Sequence, residues 1–432
     1  MSIFEDRESN VRTYCRSFPE IFDRAQGAFL YSETGRPYLD FLCGAGALNY
    51  GHNNDAIMRP VLEYAASGRI LHGLDLHTSA KRDFLETFVQ LILAPRGLNY
   101  KVQFCGPTES NAVEAALKLA RKITGRSAIF ALTGSYHGLS LGSLSVSGSK
   151  RHRAAAGTEL GPVTFIPYNL RSLPDIDSIA YINAMLKDSF SGTEKPAAII
   201  FETVQAEGGV IVAQIEWMRR LKDLCASQDI LLICDDIQVG CGRTGPFFSF
   251  ERAGITPDMV VLSKSISGYG APMSLLLIDP KLDAWEAGEH TGTFRGYQLA
   301  FVGAKASLEY WQKEDLESRV REVESYIQDY LTSEIRPLHE GLTVRGIGAI
   351  WGIDFSAAGG ETAAQEIARQ CFADGLIIEQ AGRDNAVLKL MPPLTIENEL
   401  LEKGCEVLKR AVSLAHFSKV EAPRSDVPSH LT

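Results

Sequence analysis

Two short apolar runs in the sequence each lead into a residue that can do chemistry. The run at 230–234 ends at Asp235, and the run at 259–262 is followed one residue later by Lys264. Continuous apolar runs of this length are typical of strands buried on both faces, and open α/β sheets bind ligands at the carboxyl ends of their strands. A lysine there can form a Schiff base with an aldehyde cofactor, and a carboxylate can hold the nitrogen of a pyridine ring protonated. The pair suits a pyridoxal phosphate enzyme.

Each of these residues also has an ordinary structural interpretation. A lysine after a strand is usually solvated, and Asp235 and Asp236 could be turn residues or helix caps. The catalytic interpretation of Asp235 and Lys264 is favoured when the two are considered together, because Gln238 and a glycine-containing turn at 242–245 lie between them.

This arrangement of residues resembles the signature of the class III pyridoxal phosphate aminotransferases. That signature is an aspartate, an acidic residue, an apolar residue and a glutamine, then a glycine-rich turn, then the lysine, and Asp235, Gln238 and Lys264 stand at its functional positions. The resemblance implies that Lys264 is the Schiff-base lysine of pyridoxal 5′-phosphate. It further implies that Asp235 pairs with the pyridine nitrogen and that Gln238 contacts the 3′ oxygen of the ring.

The resemblance also implies a fold. Class III enzymes have the α/β, fold-type I architecture of pyridoxal phosphate transferases, a mostly parallel seven-stranded sheet with helices on both faces plus a smaller α+β domain. We therefore expect a large cofactor-binding domain at 55–315 and a small domain formed by both termini, 1–54 and 316–432. A long charged helix is predicted at 314–335, where the sequence pattern changes.

A second informative segment, 101–121, runs from an apolar strand into a helix. Asn111 and Glu114 fit a capping arrangement, and the free N–H groups of a helix start can hold a phosphate. Taken alone, the segment favours an ordinary capped helix. The resemblance implies instead that the backbone at Glu109 and the hydroxyl of Ser110 grip the cofactor phosphate, although Glu109 stands where the family has glycine.

Three further positions gain a role only through the resemblance. Tyr136 would stack on the pyridine face, although an aromatic residue after a strand is most often packing. Glu207 would form a movable ion pair with a substrate-binding cation, although a solvated acidic loop explains it equally well. That cation is an arginine in most of the family and Lys389 in this chain. A lysine keeps the positive charge but cannot form the two parallel hydrogen bonds that an arginine makes to a carboxylate.

Thr293 lies in a run of small residues at 291–296. The resemblance implies that this threonine enters the phosphate site of a partner subunit. Active sites shared in this way imply an obligate homodimer.

The glycines at 44, 46 and 51 follow a predicted strand and invite a dinucleotide-binding interpretation. The pattern is weak, because the third glycine of that motif is replaced by Asn49 and no helix follows at once. We predict a flexible loop that borders the active site.

Composition excludes several classes of partner. The formal net charge of −10 argues against nucleic acid or an anionic membrane surface. No run approaches eighteen apolar residues, and the start MSIFEDRESN lacks the layout of a signal peptide. The eight cysteines form no CxxC pair and the nine histidines no HxxxH or HExxH spacing, so we expect reduced thiols and no metal site. These features predict a cytoplasmic protein.

Within the family, the chain is similar to one branch, the L-2,4-diaminobutyrate:2-oxoglutarate transaminases of ectoine-type pathways. The segments that carry this similarity are RSFP at 16–19, FLCGAGALNYGHN at 41–53, LHGLDLHT at 71–78, GTFRG at 292–296 and MPPLTIE at 391–397. The branch implies small amino acid and oxo acid substrates, with glutamate as amino donor to aspartate 4-semialdehyde. The alternatives are a secondary-metabolism ω-aminotransferase acting on another diamine or aldehyde, and a non-catalytic relative that uses the fold as a binding module.

Overall fold

The protein is represented by a computed structural model that describes residues 2–170, 173 and 175–417. Helices and strands are numbered in chain order. The first part of the chain forms two short helices, three antiparallel strands and one distorted helical turn. These elements are α1 (Ile3–Arg7), α2 (Tyr14–Ser17), β1 (Phe22–Gln26), β2 (Phe29–Ser32), β3 (Pro37–Asp40) and α3 (Cys43–Gly46).

The middle of the chain builds one large sheet whose strand order is β4-β12-β11-β10-β7-β5-β6. Strand β12 is antiparallel to its two neighbours, and the remaining pairs are parallel. The strands of this part, including the small hairpin β8-β9, are β4 (Lys101–Phe104), β5 (Ile129–Leu132), β6 (Val163–Ile166), β7 (Ala198–Glu202), β8 (Val204–Gln205), β9 (Ile211–Val212), β10 (Leu231–Asp235), β11 (Met259–Leu262) and β12 (Leu275–Ile278).

Helices cover both faces of this sheet. They are α4 (Asp55–Ala65), α5 (Ser79–Phe88), α6 (Glu109–Thr124), α7 (Leu141–Ser145), α8 (Lys150–Ala154), α9 (Ser178–Lys187), α10 (Ile215–Ser227) and α11 (Gln298–Lys313). Alternate strand residues enter two separate cores: Ile233 and Val261 pack in the core that contains α6, and Leu232 and Val260 in the larger core on the opposite face. Both faces are therefore apolar, which is why the strand sequences read as continuous apolar runs.

The last part of the chain adds a four-stranded antiparallel sheet, β13-β14-β17-β16, and the remaining helices. Its elements are α12 (Leu316–Tyr330), β13 (Thr343–Ile347), β14 (Ile350–Asp354), α13 (Gly360–Ala373), β15 (Leu376–Ile377), β16 (Glu379–Ala381), β17 (Val387–Leu390) and α14 (Asn398–Leu414). Strand β15 pairs in parallel with β3, which joins the two ends of the chain in one sheet. The division at 54/55 and 315/316 stays a prediction, and residues 418–432 of the predicted small domain lie outside the described part.

The long helix predicted at 314–335 is confirmed apart from its first two residues, because α12 begins at Leu316 and continues directly into a π-helical turn, Leu331–Ile335. Helix α11 ends at Lys313, and Asp315 has a left-handed φ of 44° before α12 begins. The Asp315 side chain accepts a hydrogen bond from the backbone N–H of Ser318, so it caps the new helix. In the described part of the chain, no helix has the length and apolar character needed to cross a membrane.

Candidate active site

Lys264 follows β11 and begins a tight 3₁₀ turn, Lys264–Ser267, with a left-handed φ of 52°. A non-glycine residue in this region carries strain on the order of 1–3 kcal/mol, and such strain is concentrated at functional sites. The amine donates a hydrogen bond to the carbonyl oxygen of Ala45, 2.9 Å away in the glycine-rich loop. Burial lowers the pKa of Lys264, which favours the neutral, nucleophilic amine.

Asp235 ends β10, and because β10 and β11 are parallel neighbours, its side chain and that of Lys264 share one edge of the sheet. The Oδ2 atom of Asp235 lies 2.7 Å from Nδ1 of His137, and both side chains are buried. Its other oxygen accepts from the backbone N–H of Ile237 at 3.2 Å. Asp235 is therefore a buried acid held in one orientation.

His137 was missed by sequence reasoning. Its side chain is fully buried, and its Nε2 atom has no hydrogen-bond partner in the described part of the protein. The one signal was its position directly after Tyr136, and a single buried histidine gives no indication of which acid it contacts.

Gln238 connects the lysine to the remaining charged residues. Its Nε2 atom donates to the same Ala45 carbonyl oxygen that Lys264 contacts, at 2.8 Å, and to Oε1 of Glu207 at 3.1 Å. Its Oε1 atom accepts from Nζ of Lys389 at 3.4 Å. The structure thus brings four of the predicted site residues into one hydrogen-bonded network.

Lys389 is fully buried in β17 and forms ion pairs with two carboxylates, Glu207 and Glu379. Burial opposes the charge of Lys389, but the two acids outweigh it and raise the pKa of the lysine. Burial also opposes the charge of Glu207, yet Lys389 and Lys264 together lower its pKa to about 2. Glu379 was not among the predicted site residues, since the sequence indicated only that a strand ends there.

The start of α6 lies beside Gly138 and Leu139 in the loop after β5. The hydroxyl of Ser110 accepts a hydrogen bond from the backbone N–H of Leu139 at 3.3 Å. Gly138 has a left-handed φ of 117°, and a Cβ atom there would lie 2.2 Å from the Ser110 oxygen. Helix α6 begins at Glu109, and the side chain of its N-cap residue Thr108 makes no capping hydrogen bond. A helix start without a side-chain cap leaves N–H groups for an anion.

The capping arrangement predicted for Asn111 and Glu114 is wrong. The side chain of Asn111 accepts from the backbone N–H of Gly106, and that of Glu114 accepts from the N–H groups of Gly142 and Ser143. Both side chains therefore hold neighbouring loops, because the helix already begins at residue 109.

Tyr136 is half-buried and directly precedes His137, and its backbone N–H donates to Oε2 of Glu202. Burial, with Glu207 and Glu109, raises the pKa of the phenol to about 12, so the ring stays neutral. Glu202 itself is buried opposite Asp235 in the register of β7 and β10. Burial and the charge of Asp235 raise the pKa of Glu202 well above its usual value.

Thr293 is exposed and begins a single turn, Thr293–Gly296, in which Phe294 is 68% exposed. No hydrogen bond joins Thr293 to Glu109 or Ser110 in the chain that the structure describes. The structure thus does not bring Thr293 to the predicted phosphate site at Glu109 and Ser110 of its own subunit.

Asp236, the neighbour of Asp235, has a structural role. Its carboxylate accepts hydrogen bonds from the hydroxyl and the backbone N–H of Ser249, and burial raises its pKa to about 7. An acid whose pKa is raised in the folded state contributes stability that is fully present below its unfolded pKa, about 4. That contribution is lost as the pH rises towards 7.

We therefore expect Asp236→Asn to gain stability relative to the native protein as the pH is raised from 4 to 7. The amide keeps one acceptor for Ser249 and does not ionise, and each unit of pKa shift corresponds to about 1.4 kcal/mol. Melting temperatures of both proteins across this range measure the effect. A constant difference in melting temperature between pH 4 and 7 would contradict it.

The architecture and the amine and acid at its edge define a pyridoxal phosphate-dependent transferase, as expected from the sequence. The chain belongs to the class III aminotransferases, since the family model Aminotransferase class-III matches residues 13–412. The predicted family, enzyme class and cofactor, pyridoxal 5′-phosphate, are thereby confirmed.

Individual relatives agree with this assignment. A diaminobutyrate--2-oxoglutarate transaminase from Bordetella parapertussis is 51% identical over 415 residues, which are 96% of this chain and 95% of that protein. One from Streptomyces avermitilis is 51% identical over 419 residues, 95% of this chain and 97% of that protein. The crystal structure of ornithine aminotransferase from Toxoplasma gondii superposes with a TM-score of 0.83 at 22% identity, covering 95% of this chain and 93% of that one. The predicted fold class is confirmed.

The residues present fit the three polar parts of this cofactor. A buried amine with a lowered pKa suits the aldehyde, and a buried carboxylate fixed by His137 suits a protonated ring nitrogen. The uncapped start of α6 and the Ser110 hydroxyl suit the phosphate. Among the described residues, no group of three or more His, Cys, Asp or Glu side chains is placed to hold a metal ion.

Proposed function

We propose that this aminotransferase exchanges an amino group between glutamate and the terminal aldehyde of aspartate 4-semialdehyde, giving 2-oxoglutarate and L-2,4-diaminobutyrate. The observation that carries the proposal is that relatives named for this reaction are 51% identical across almost the whole chain. The site supports it, because it combines an amine whose pKa is lowered, Lys264, with a cation, Lys389, that the Glu207 carboxylate can cover.

We assign the chemistry to Lys264 and Asp235. The bound cofactor supplies an electron-accepting ring that stabilises negative charge on the carbon bearing the amino group. Lys264 would hold the cofactor through its aldehyde group, and its free amine would move the proton to and from the substrate carbon that bears the amino group. Asp235, oriented by His137, holds the proton on the ring nitrogen. The lowered pKa of Lys264 suits both of its tasks.

We assign the remaining contacts to binding and orientation. Gln238 would hold the cofactor ring through its 3′ oxygen, Tyr136 would cover one ring face, and Ser110 with the backbone at Glu109 would bind the phosphate. Among the residues that the structure describes, no lysine, arginine or histidine forms an ion pair with the Glu109 side chain, so the backbone N–H is the contact we propose at that position.

We assign substrate selection between the two half-reactions to Glu207 and Lys389. When Glu207 is paired with Lys389, the charge of Lys389 is covered. The site then accepts a substrate whose reacting carbon carries an amino group but no carboxylate. When Glu207 moves away, Lys389 can bind the α-carboxylate of glutamate. Glu207 lies in the loop after β8 and is half-buried, which suits a movable partner, whereas Lys389 is fixed in a strand.

The test is to add single amines to the purified holoenzyme and follow the visible absorbance of the bound cofactor. Glutamate and L-2,4-diaminobutyrate should each bleach the band, and 2-oxoglutarate should restore it with release of the second product. If the band responds to other diamines or aldehydes and not to diaminobutyrate, the enzyme is an ω-aminotransferase with another substrate.

We further propose a homodimer whose active sites are shared. Exposed apolar side chains concentrate around Thr293, and the segment at 70–76 pairs with the segment at 294–298 through backbone hydrogen bonds. These side chains are Ile70, Leu71, Leu74, Leu76, Phe294 and Tyr297. An exposed apolar patch of this kind is typical of a protein interface. A cytoplasmic location also stays a prediction, which the free cysteines of the described chain support.

If Thr293 completes the phosphate site of the partner subunit, Thr293→Val should weaken cofactor binding about tenfold, the value of one hydrogen bond to a charged group. Titration of the apoenzyme with pyridoxal phosphate measures the dissociation constant, and Thr291→Val, an exposed neighbour, is the control. A dimer in solution with unchanged cofactor affinity would remove Thr293 from the site.

A further inference from the structure

The cluster around Lys389 contains two carboxyl groups and one ammonium group. The ammonium nitrogen contacts Glu207, lies 3.1 Å from Oε2 of Glu379, and donates to Gln238 at 3.4 Å. The contacts to Glu207 and Gln238 are hydrogen bonds, and the contact to Glu379 is an ion pair. One positive charge is thus shared by two acids, and the cluster is one positive charge short of neutral.

Glu379 is the acid that is left without a full counter-charge. Lys389 and Lys264 both act on Glu207 and lower its pKa in spite of burial. Burial and the negative Glu207 raise the pKa of Glu379 in spite of Lys389. A buried carboxyl group in this position favours any additional cation, whether a proton or an ammonium group.

The position of Glu379 is fixed by the strands. It begins β16 and lies opposite Lys389 of β17 in the antiparallel register, so it cannot move away as a loop residue can. The hydroxyl of Tyr14 donates to its Oε1 atom at 3.3 Å. Its Oε2 atom makes the ion pair with Lys389 but no hydrogen bond to any residue that the structure describes, and 12% of the side chain is exposed.

We propose that Glu379 is a specificity-determining residue that binds the second ammonium group of a diamino acid substrate. The inference rests on the proposed function, in which the terminal amine of diaminobutyrate reacts and its α-ammonium group stays charged. That group would supply the positive charge that the cluster lacks and would use the free hydrogen-bonding capacity of Oε2. A monoamine of the same length, 4-aminobutyrate, has no such group and leaves the carboxyl uncompensated.

The test compares holoenzymes carrying Glu379 and Glu379→Gln, which has nearly the same shape without the charge. The rate constant for bleaching by L-2,4-diaminobutyrate should fall about 10- to 100-fold, the value of a hydrogen bond to a charged group. The rate constants for 4-aminobutyrate and glutamate should stay level or rise. Glu366→Gln, an exposed change on α13, is the matched control.

A second measurement separates binding from turnover. Borohydride reduction of the lysine–cofactor bond prevents reaction, and calorimetry then gives dissociation constants for diaminobutyrate and 4-aminobutyrate. The native protein should prefer the diamine, Glu379→Gln should lose the preference, and Glu379→Asp should keep part of it.

The outcomes distinguish the inference from the proposed function. If native holoenzyme reacts with diaminobutyrate and Glu379→Gln changes all donors equally or none, Glu379 is structural and the inference is overturned alone. If native holoenzyme reacts with other amines but not with diaminobutyrate, the proposed function fails and the inference fails with it.

Discussion

Lys264→Ala should lose transamination by about 10⁴-fold or more, because one side chain both binds the cofactor and moves the substrate proton. The structure gives the reason that no neighbour can replace it. The other buried lysine of the site, Lys389, is engaged with Glu207 and Glu379, which keep it charged. A charged amine is neither a nucleophile nor a base, and burial lowers the pKa of Lys264, whereas the two acids raise that of Lys389.

The measurement is the rate of amino transfer from glutamate, with the cofactor absorbance as a second readout. The variant should lose the absorbance of the lysine-bound cofactor while keeping its fold, as judged by circular dichroism. Lys313→Ala, an exposed change at the end of α11, should leave both unchanged. Partial recovery of the rate by added methylamine would show that the missing group is a base and not a structural contact. Retained turnover and absorbance in Lys264→Ala would remove this lysine from the chemistry.

The strands that lead to Asp235 and Lys264 could be predicted from the sequence because their signals are local, whereas the seven-stranded sheet was implied by the family resemblance. Apolar runs such as those ending at Asp235 and before Lys264 specify strands buried on both faces, and the parallel connections place their ends at one edge. Three of the predicted site residues, Gln238, Glu207 and Lys389, form one hydrogen-bonded network, and their roles stay predictions.

What the sequence did not predict depends on contacts between distant segments. His137 reaches Asp235 across 98 positions of the chain, and the partner of a histidine cannot be read from its own neighbours. A role for Glu379 can be inferred only from the antiparallel register of β16 and β17, which places it opposite Lys389. The contacts of Lys389 with Glu207, Glu379 and Gln238 also offer a physical reason for a lysine at this position. A compact ammonium group can contact three partners in different directions, whereas a guanidinium group favours one planar carboxylate.

Asp235→Asn should lower the rate of transamination on the order of 10³-fold at neutral pH, comparable to the loss of a preorganised group that stabilises charge in a transition state. An amide cannot hold a proton on the ring nitrogen of the cofactor. His137 would keep its place beside residue 235, so the change removes charge with little change of shape. The rate of the variant should therefore recover in part as the pH is lowered, when solvent protons become available to the ring nitrogen.

The nearby acid Glu202 should not rescue this variant. It faces Asp235 across β7 and β10, but burial raises its pKa, and its Oε2 atom is already engaged with the backbone N–H of Tyr136. Removal of the charge at 235 takes away one cause of that raised pKa, but burial, the larger cause, remains. The measurement is the rate of transamination between pH 5 and 9 for Asp235→Asn, with the exposed change Asp329→Asn as control. A rate that recovers as the pH falls indicates that solvent protons replace the lost acid. A small, pH-independent loss in Asp235→Asn would mean that another group protonates the ring, and Asp235 would then serve only to orient His137.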